Sequence, residues 1–407
     1  MNLISFRGMT AAPSQSLPTL GETTPELLDR ALAAAGEGIV IADARRPDMP
    51  LIYVNPAFEA VTGYAAAEAI GRNCRFLQGP DTDRTSLDEI RRALAERRAC
   101  VVELLNYRKD GTPFWNRLSI TPVVDAAGEV THFIGVQSDI TARRLAEQRL
   151  QAANRRMQRD LVAAARIQKS LLPAAAPAVG GVRMAWASRP CAELAGDSLN
   201  VLQLDERTLA FYVLDVSGHG VPAALLSFTL ARTLAAFPEQ SCLYERRADA
   251  WVPAEPAAVV AALNRRFQLD PAAPQYFTLF YALVETESWR VRYASAGHPP
   301  AVLAPRQGEP RLVAATGPPV GLVEGAAFEQ AELALAAGDR LLVFTDGLSE
   351  AESPEHVELG LERIVGAVRS QRRLPLQAAV DALVAFAAEW SGGAAHDDIS
   401  VCALEVG

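Results

Sequence analysis

Two groups of residues in this chain have the types and spacing to do chemistry. The first is a thiol in polar company. Gly71-Arg72-Asn73-Cys74-Arg75-Phe76-Leu77-Gln78-Gly79 sets Cys74 among cations and amides, an odd setting for a cysteine that merely packs. The second is a series of aspartates beside glycines: Gly196-Asp197, Leu214-Asp215-Val216-Ser217-Gly218-His219-Gly220, Phe344-Thr345-Asp346-Gly347 and His396-Asp397-Asp398-Ile399. One Asp-Gly pair reads as a turn. Four of them flanking apolar runs can bring carboxylates together, which suits a hard divalent cation such as Mg²⁺ or Mn²⁺. His219 and His298 stand beside these blocks and read as turn-stabilising or proton-transferring groups. No G-x-S-x-G turn and no glycine-rich phosphate loop with lysine accompanies them, against a serine hydrolase, a kinase or a P-loop enzyme.

The elements that must hold the thiol begin with apolar runs at Gly38–Asp43 and Leu51–Pro56, the second stopped by its proline. Short helical pieces follow to about Ala99. Strand-like segments at 100–107, 113–124 and 130–138 are separated by Asp110-Gly111 and Ala127-Gly128, both hairpin signals. This predicts an antiparallel sheet with small helices on one face. Residues 1–26 read as a tail or cap, 27–139 as a sensor domain, 140–173 as a linker and 174–407 as a second domain.

The linker lacks glycine and has no proline before Pro173. Leu150, Met157, Ala164 and Leu171 recur every seven residues, which predicts a two-helix coiled coil and a homodimer, imperfect where Asp160 nears the seam. An amphipathic helix lying on its own domain is the alternative. In the second domain, strands are expected at 208–215, 276–285, 290–294, 340–344 and 399–404, and helices at 222–236, 256–268, 360–371 and 376–390. Few βαβ units occur, so the fold class is α+β, with antiparallel sheets covered by helices.

At 407 residues, 50% apolar and 21% charged, the chain can bury more than one core. Its net charge of −9 argues against nucleic acid as a partner, and the +6 of the linker reads as a solvated helix face. Five widely spaced cysteines show no disulfide or zinc pattern. No apolar run approaches the ~18 residues of a membrane span, so a cytoplasmic protein without membrane contact is expected.

Other blocks flank the cysteine stretch. Asn55-Pro56-Ala57-Phe58 and Thr62-Gly63-Tyr64 precede it; Asn106-Tyr107-Arg108-Lys109-Asp110-Gly111, Phe114-Trp115-Asn116 and Gly135-Val136-Gln137-Ser138-Asp139-Ile140-Thr141 follow. Together they resemble the LOV (light, oxygen, voltage) group of PAS-type flavin photoreceptors over about residues 30–139. The resemblance implies FMN as cofactor, with Arg75 and Arg91 on the phosphate, Asn73 and Gln78 on the ribityl chain and ring edge, and Asn106 and Asn116 on the pyrimidine ring. Ile39, Val54, Leu104, Leu118 and Phe133 would sandwich the ring or simply pack. It further implies that light adds the Cys74 sulfur to the flavin as a photoadduct, and that Gln137 rotates its amide in answer. A hydrogen bond of that kind is worth about 1 kcal/mol net. Gln137 stands three residues before Ile140, so the switch would lead into the linker.

The aspartate blocks, with Ala165-Arg166-Ile167-Gln168-Lys169-Ser170-Leu171-Leu172-Pro173 and Ser295-Ala296-Gly297-His298-Pro299-Pro300, resemble PP2C-type serine/threonine phosphatases of the SpoIIE/RsbU kind over about residues 165–405. That resemblance implies an α/β/β/α sandwich holding two Mn²⁺ or Mg²⁺. Asp215 would bridge them with help from the Val216 carbonyl, and Asp197, Asp346 and Asp397 would complete the shell. Asp398 is the less expected ligand of its pair. The ions would activate a water for in-line attack without a protein nucleophile. Where the family commonly repeats an aspartate after Gly196-Asp197, this chain has Asn200, which predicts a weakened outer metal. The combined expectation is a blue-light-regulated phosphatase acting on a phosphorylated STAS-type anti-anti-sigma partner. A degenerate, light-gated sequestering protein and a light-independent redox sensor using Cys74 are the alternatives.

Overall fold

The computed structural model describes residues 24–173, 179–248, 250–271, 274–393 and 396–407. Most of the expected N-terminal tail, and residues 174–177 of the proline-bounded break, lie outside them. The chain divides into two compact units, Met1–Arg155 and Arg156–Gly407.

In the first unit, Thr24 caps α1 (Pro25–Ala34) by accepting the Leu27 N–H, and Pro25 occupies the first turn. The helix thus starts inside the segment read as tail. The strands are β1 (Gly38–Asp43), β2 (Leu51–Val54), β3 (Cys100–Tyr107), β4 (Pro113–Val124) and β5 (Val130–Asp139), in spatial order β2-β1-β5-β4-β3, antiparallel throughout. Between β2 and β3 lie α2 (Pro56–Thr62), α3 (Ala66–Ala69), a 3₁₀ turn (Cys74–Leu77) and α4 (Arg84–Ala95). Period-2 alternation decides what faces them. Val40, Leu104, Ile120 and Phe133 are buried with Phe58, Leu77 and Ile90 of the helical layer, while Val101 and Val124 stay exposed.

The helix α5 (Thr141–Lys169) runs unbroken for 29 residues, about 44 Å at 1.5 Å per residue. None of its residues is buried; Leu145, Leu150, Met157, Val162 and Ile167 are exposed. Its first turn is fixed to the sheet: Thr141 Oγ1 accepts the Trp115 N–H, and Arg143 and Arg144 both reach Glu103. The Arg144 guanidinium lies 3.9 Å from the Trp115 ring centre.

The second unit contains β6 (Val182–Arg189), β7 (Ser198–Gln203), β8 (Thr208–Val216), α6 (Val221–Thr233), the hairpin β9 (Tyr244–Arg247) and β10 (Ala250–Pro253), then α7 (Pro256–Arg266), β11 (Phe277–Glu285) and β12 (Arg290–Ala296). There follow β13 (Ala301–Ala304), β14 (Arg311–Val313), β15 (Ala331–Ala334), β16 (Arg340–Phe344), α8 (Asp346–Ser349), α9 (Gly360–Ser370), α10 (Leu376–Trp390) and β17 (Ile399–Val406). Two five-stranded antiparallel sheets result, β15-β12-β11-β8-β7 and β14-β13-β16-β17-β6.

Three cores make this a four-layer sandwich. Leu209, Phe211 and Val213 of β8 point between the sheets toward Leu341, Val343 and Leu404. Ala210, Tyr212 and Leu214 point outward beneath α6 and α7. Phe344, Val401 and Ala403 meet α9 and α10 on the other side. A strand covered on both faces reads as one continuous apolar run, as Leu209–Leu214 does. Among the described residues, no helix is long and apolar enough to cross a membrane.

Candidate functional site

The thiol is presented by a local device. Asn73 caps the 3₁₀ turn through its Oδ1, which accepts the Arg75 N–H at 3.0 Å, while its Nδ2 donates to the Asp48 carbonyl. Cys74 at the head of that turn meets the inner face of the sheet. Gln137 Nε2 donates to Cys74 Sγ at 3.3 Å. Gln137 Oε1 accepts from Asn116 Nδ2 at 3.3 Å, and Asn116 Nδ2 also reaches Asn106 Oδ1 at 2.9 Å. Burial pushes the Cys74 thiol up to about 11, against the smaller opposing effect of the Gln137 bond.

These residues line one pocket together with Arg75, Gln78 and Asn73, and with Leu104, Leu118 and Phe133 among the apolar walls. Three expected residues are elsewhere. Ile39 lies one position out of phase with Val40, which supplies the wall instead; Val54 pairs with Val40 and packs beneath the helices. Arg91 does not line the pocket either: it sits on the exposed face of α4 with its Nη1 2.7 Å from Asp88 Oδ1. Met49, Leu51, Ile90 and Leu94 were not expected and do line it. Two observations fit a flat polar ring. Asn116 Oδ1 is buried without any donor, and at Gly135, on the pocket wall, a Cβ would meet Val40 Cγ2 at 2.8 Å.

In the second unit, strand ends deliver the aspartates. Asp215 lies at the end of β8, Asp346 opens α8 just beyond β16, Asp397 lies just ahead of β17, and Asp197 precedes β7. Burial first, then Asp346 and Asp397, push the Asp215 carboxyl up to about 7. Burial also raises Asp197, followed by Asp215 and Asp398; Asp346 and Asp397 are raised by burial and by neighbouring carboxylates. No arginine or lysine pairs with these groups among the described residues. A set of hard oxygen donors that destabilise one another fits a bound divalent cation. The Val216 carbonyl lies against Gly196, where a Cβ would meet it at 3.0 Å.

Supporting groups explain why the aspartates converge. Thr345, fully buried, donates from Oγ1 to Asp197 Oδ2 at 2.8 Å and accepts the Ser400 N–H at 2.9 Å. Its place directly before Asp346 was the sequence signal that went unused. Asp398 accepts the backbone N–H of Cys191 at 2.8 Å and of Gly196 at 2.6 Å, so both of its oxygens serve the backbone. A Cβ at Gly347 would sit 2.2 Å from the Asp398 carbonyl oxygen; only glycine lets α8 approach β17 this closely. Gln168 near the end of α5 bonds the Ala195 backbone, two residues before Asp197.

The expectation attached to Asn200 is corrected by strand parity. Asn200 is registered opposite Tyr212, on the helix-covered face, whereas Asp215 has the phase of Phe211 and Val213 between the sheets. It occupies no place in the carboxylate cluster. His298 is fully buried, with Nδ1 2.9 Å from Thr278 Oγ1, and desolvation lowers it to about 3. Burial thus favours its neutral form. His219 is exposed and acts electrostatically on Asp397.

Comparison with known proteins identifies the two domains that carry these sites. Residues 36–142 match the family model for the PAS domain, and residues 205–407 match that for Stage II sporulation protein E (SpoIIE). The chain is 47% identical over 134 residues to Phototropin-2 of Oryza sativa subsp. japonica, covering 33% of this chain and 14% of that one. It is 48% identical over 123 residues to Blue-light-activated histidine kinase 1 of Erythrobacter litoralis, covering 30% and 34%. It therefore spans less than half the length of these relatives. The SiaA-PP2C domain of Pseudomonas aeruginosa superposes with a TM-score of 0.53 at 22% identity, over 63% of this chain and 99% of that domain, which establishes the fold. The chain joins a LOV-type PAS domain to a SpoIIE-type domain of PP2C fold.

Proposed function

We propose that this chain is a blue-light-controlled, metal-dependent protein serine/threonine phosphatase. A bound FMN supplies blue-light absorption and an electrophilic ring carbon for a thiol. The chain's own part is positioning. Cys74 is held protonated by burial, with Gln137 as its hydrogen-bond donor. Gln137 turns its nitrogen to the sulfur and its oxygen to Asn116, so reversing the amide would set two donors against each other at Asn116. Asn116 must then turn as well, and the change passes to Asn106. Each such bond is worth about 1 kcal/mol, enough to bias a balanced equilibrium several-fold. Asn73, Arg75 and Gln78 would hold the rest of the cofactor, and Arg91 would have to give up Asp88 to reach the phosphate.

Two Mn²⁺ or Mg²⁺ ions supply Lewis acidity and an activated water when bound. Asp215, Asp197, Asp346, Asp397 and the Val216 carbonyl would hold them. Thr345 and Asp398 position those groups. The substrate is a phosphorylated protein, of the STAS type by family likeness, and the compartment is the cytoplasm. An α5 without a buried residue, exposing Leu150 and Met157 one heptad apart, supports a homodimer through a coiled coil.

One observation carries the reading: a single unbroken helix begins two residues after β5, the Gln137 strand, and ends by gripping the backbone beside Asp197. The test is hydrolysis of an aryl phosphate with Mn²⁺ by the full chain in darkness and under blue light. Turnover that depends on metal, changes with light and vanishes in Asp215→Asn is expected; equal turnover in light and dark refutes light control. The sequestering alternative drew on Asn200, and the place of that residue away from the carboxylates removes its ground.

A further inference from the structure

The catalytic-type domain contains a second cavity, of about 620 Å³, at the opposite end of the strands that carry the aspartates. β16 starts there at Arg340 and ends next to Asp346; β17 starts beside Asp397 and ends there at Val406. Five arginines line it: Arg183, Arg306, Arg340, Arg372 and Arg373. Glu405 is the one acidic side chain in the lining, and it is already shared by Arg183 and Arg340. Among the described residues, the other three guanidiniums have no carboxylate side chain as partner. Arg372 donates to the Gly308 carbonyl at 2.8 Å, and Arg306 lies over Gly338, whose missing Cβ would meet its Cδ at 2.6 Å.

The remaining wall is not basic. Leu342, Val368 and Leu376 give it an apolar side, and Gln371 presents a buried Oε1 that no donor satisfies. The first turn of α10 forms part of the wall and is capped by no side chain. The volume lies within the roughly 300–1,000 Å³ of small-molecule sites. Unpaired guanidiniums match phosphate oxygens by geometry and charge.

We propose that this cavity binds a nucleoside di- or triphosphate. Arg306, Arg372 and Arg373 would hold the phosphates, the apolar wall would take the base, and Gln371 would accept from a hydroxyl or amino group. One phosphate leaves this charge partly unmatched, so two or three are favoured over one. The site lies away from the aspartates, so occupancy is distinct from substrate binding.

The test is calorimetric titration of the flavin-loaded full chain, freed of divalent metal by EDTA and dialysis, with ATP and separately with AMP. Saturable ATP binding is expected, tighter than AMP and weaker in high salt. It should fall by at least about tenfold in Arg372→Ala/Arg373→Ala and in Arg306→Ala, because charged hydrogen bonds are lost. These side chains are exposed, and unchanged flavin absorbance and melting temperature would show that each variant folds. No saturable binding up to about 1 mM overturns the proposal. So does undiminished binding in both variants. Stronger binding of poly-glutamate than of ATP also overturns it, and reassigns the cavity to an acidic protein partner.

Discussion

Gln168 and Ala195 exchange two hydrogen bonds: Gln168 Nε2 donates to the Ala195 carbonyl at 2.6 Å, and Gln168 Oε1 accepts the Ala195 N–H at 3.0 Å. Gly196, the next residue, gives its N–H to Asp398, and Asp197 follows. A single side chain of the linker thus clamps the backbone that presents one carboxylate of the proposed metal centre. Two neutral bonds contribute about 1 kcal/mol each. Gln168→Ala is expected to lower metal-dependent turnover by roughly tenfold, together with a fall of a few degrees in melting temperature. Wild-type turnover in that variant would show that the clamp is structural only.

At the other end of the same helix, Gln137→Leu removes both the donor to Cys74 and the acceptor for Asn116 while keeping the strand. Flavin binding and blue-light bleaching of the bound cofactor should persist, and the ratio of light to dark phosphatase rates should move toward one. Cys74→Ala should abolish the bleaching and leave the flavin bound. Absorbance spectroscopy and turnover on the same samples check both.

Gly347→Ala tests convergence of the carboxylates. The added methyl would collide with the Asp398 carbonyl, and overpacking of this kind costs about 1–3 kcal/mol. Thermal denaturation should show that loss, and a Mn²⁺ titration should show weaker metal binding.

Without metal, the carboxylates make stability depend on pH. Their folded-state protonation is favoured above the usual range, so these carboxylates together hold more protons in the folded than in the unfolded chain from about pH 4 to about 7, against the opposite effect of the single buried His298 below about pH 6.5. Stability is therefore greatest at the acid end of that window and falls as pH rises through it. Metal-free protein should melt at a lower temperature at pH 7.5 than at pH 5.5, and Mn²⁺ should reverse most of the difference. A melting temperature rising with pH in EDTA would contradict this.

Leu150→Glu/Met157→Glu places charge on the exposed heptad face. Light scattering should report conversion of a dimer to a monomer. A monomeric wild type would remove the coiled coil from the mechanism.

Much of this was legible because strand and turn signals agreed. The segments 100–107 and 113–124 coincide with β3 and β4, and 376–390 with α10. β6, β7 and β13 to β15 escaped because they are short, or because charged and amide residues break their alternation, as in Val182–Arg189 and Ser198–Gln203. The aspartates were found by their glycine neighbours, but Gln168 acts through a contact distant in sequence, and Thr345 and Gly347, though next to Asp346, give no local sign of their contacts with Asp197 and Asp398. Ile39 is off the pocket because an apolar run does not reveal which parity faces inward, whereas Val54 shares the inward face of Val40 but packs against the helical layer, the plain packing that was its alternative. Arg91 has an acidic neighbour one turn away, and pairs with it.

The uninterrupted run of α5 sets a rule for how such chains can vary in length. Each residue inserted or removed turns everything downstream by about 100°, and seven restore nearly the original phase. Lengths differing by whole sevens should transmit the signal with its sign intact, and those differing by two or five, which turn the downstream part by about 200° or 140°, should invert or silence it. On the proposed wiring the rod would work as a ruler graduated in sevens, and a different detector should graft onto it in phase at those marks.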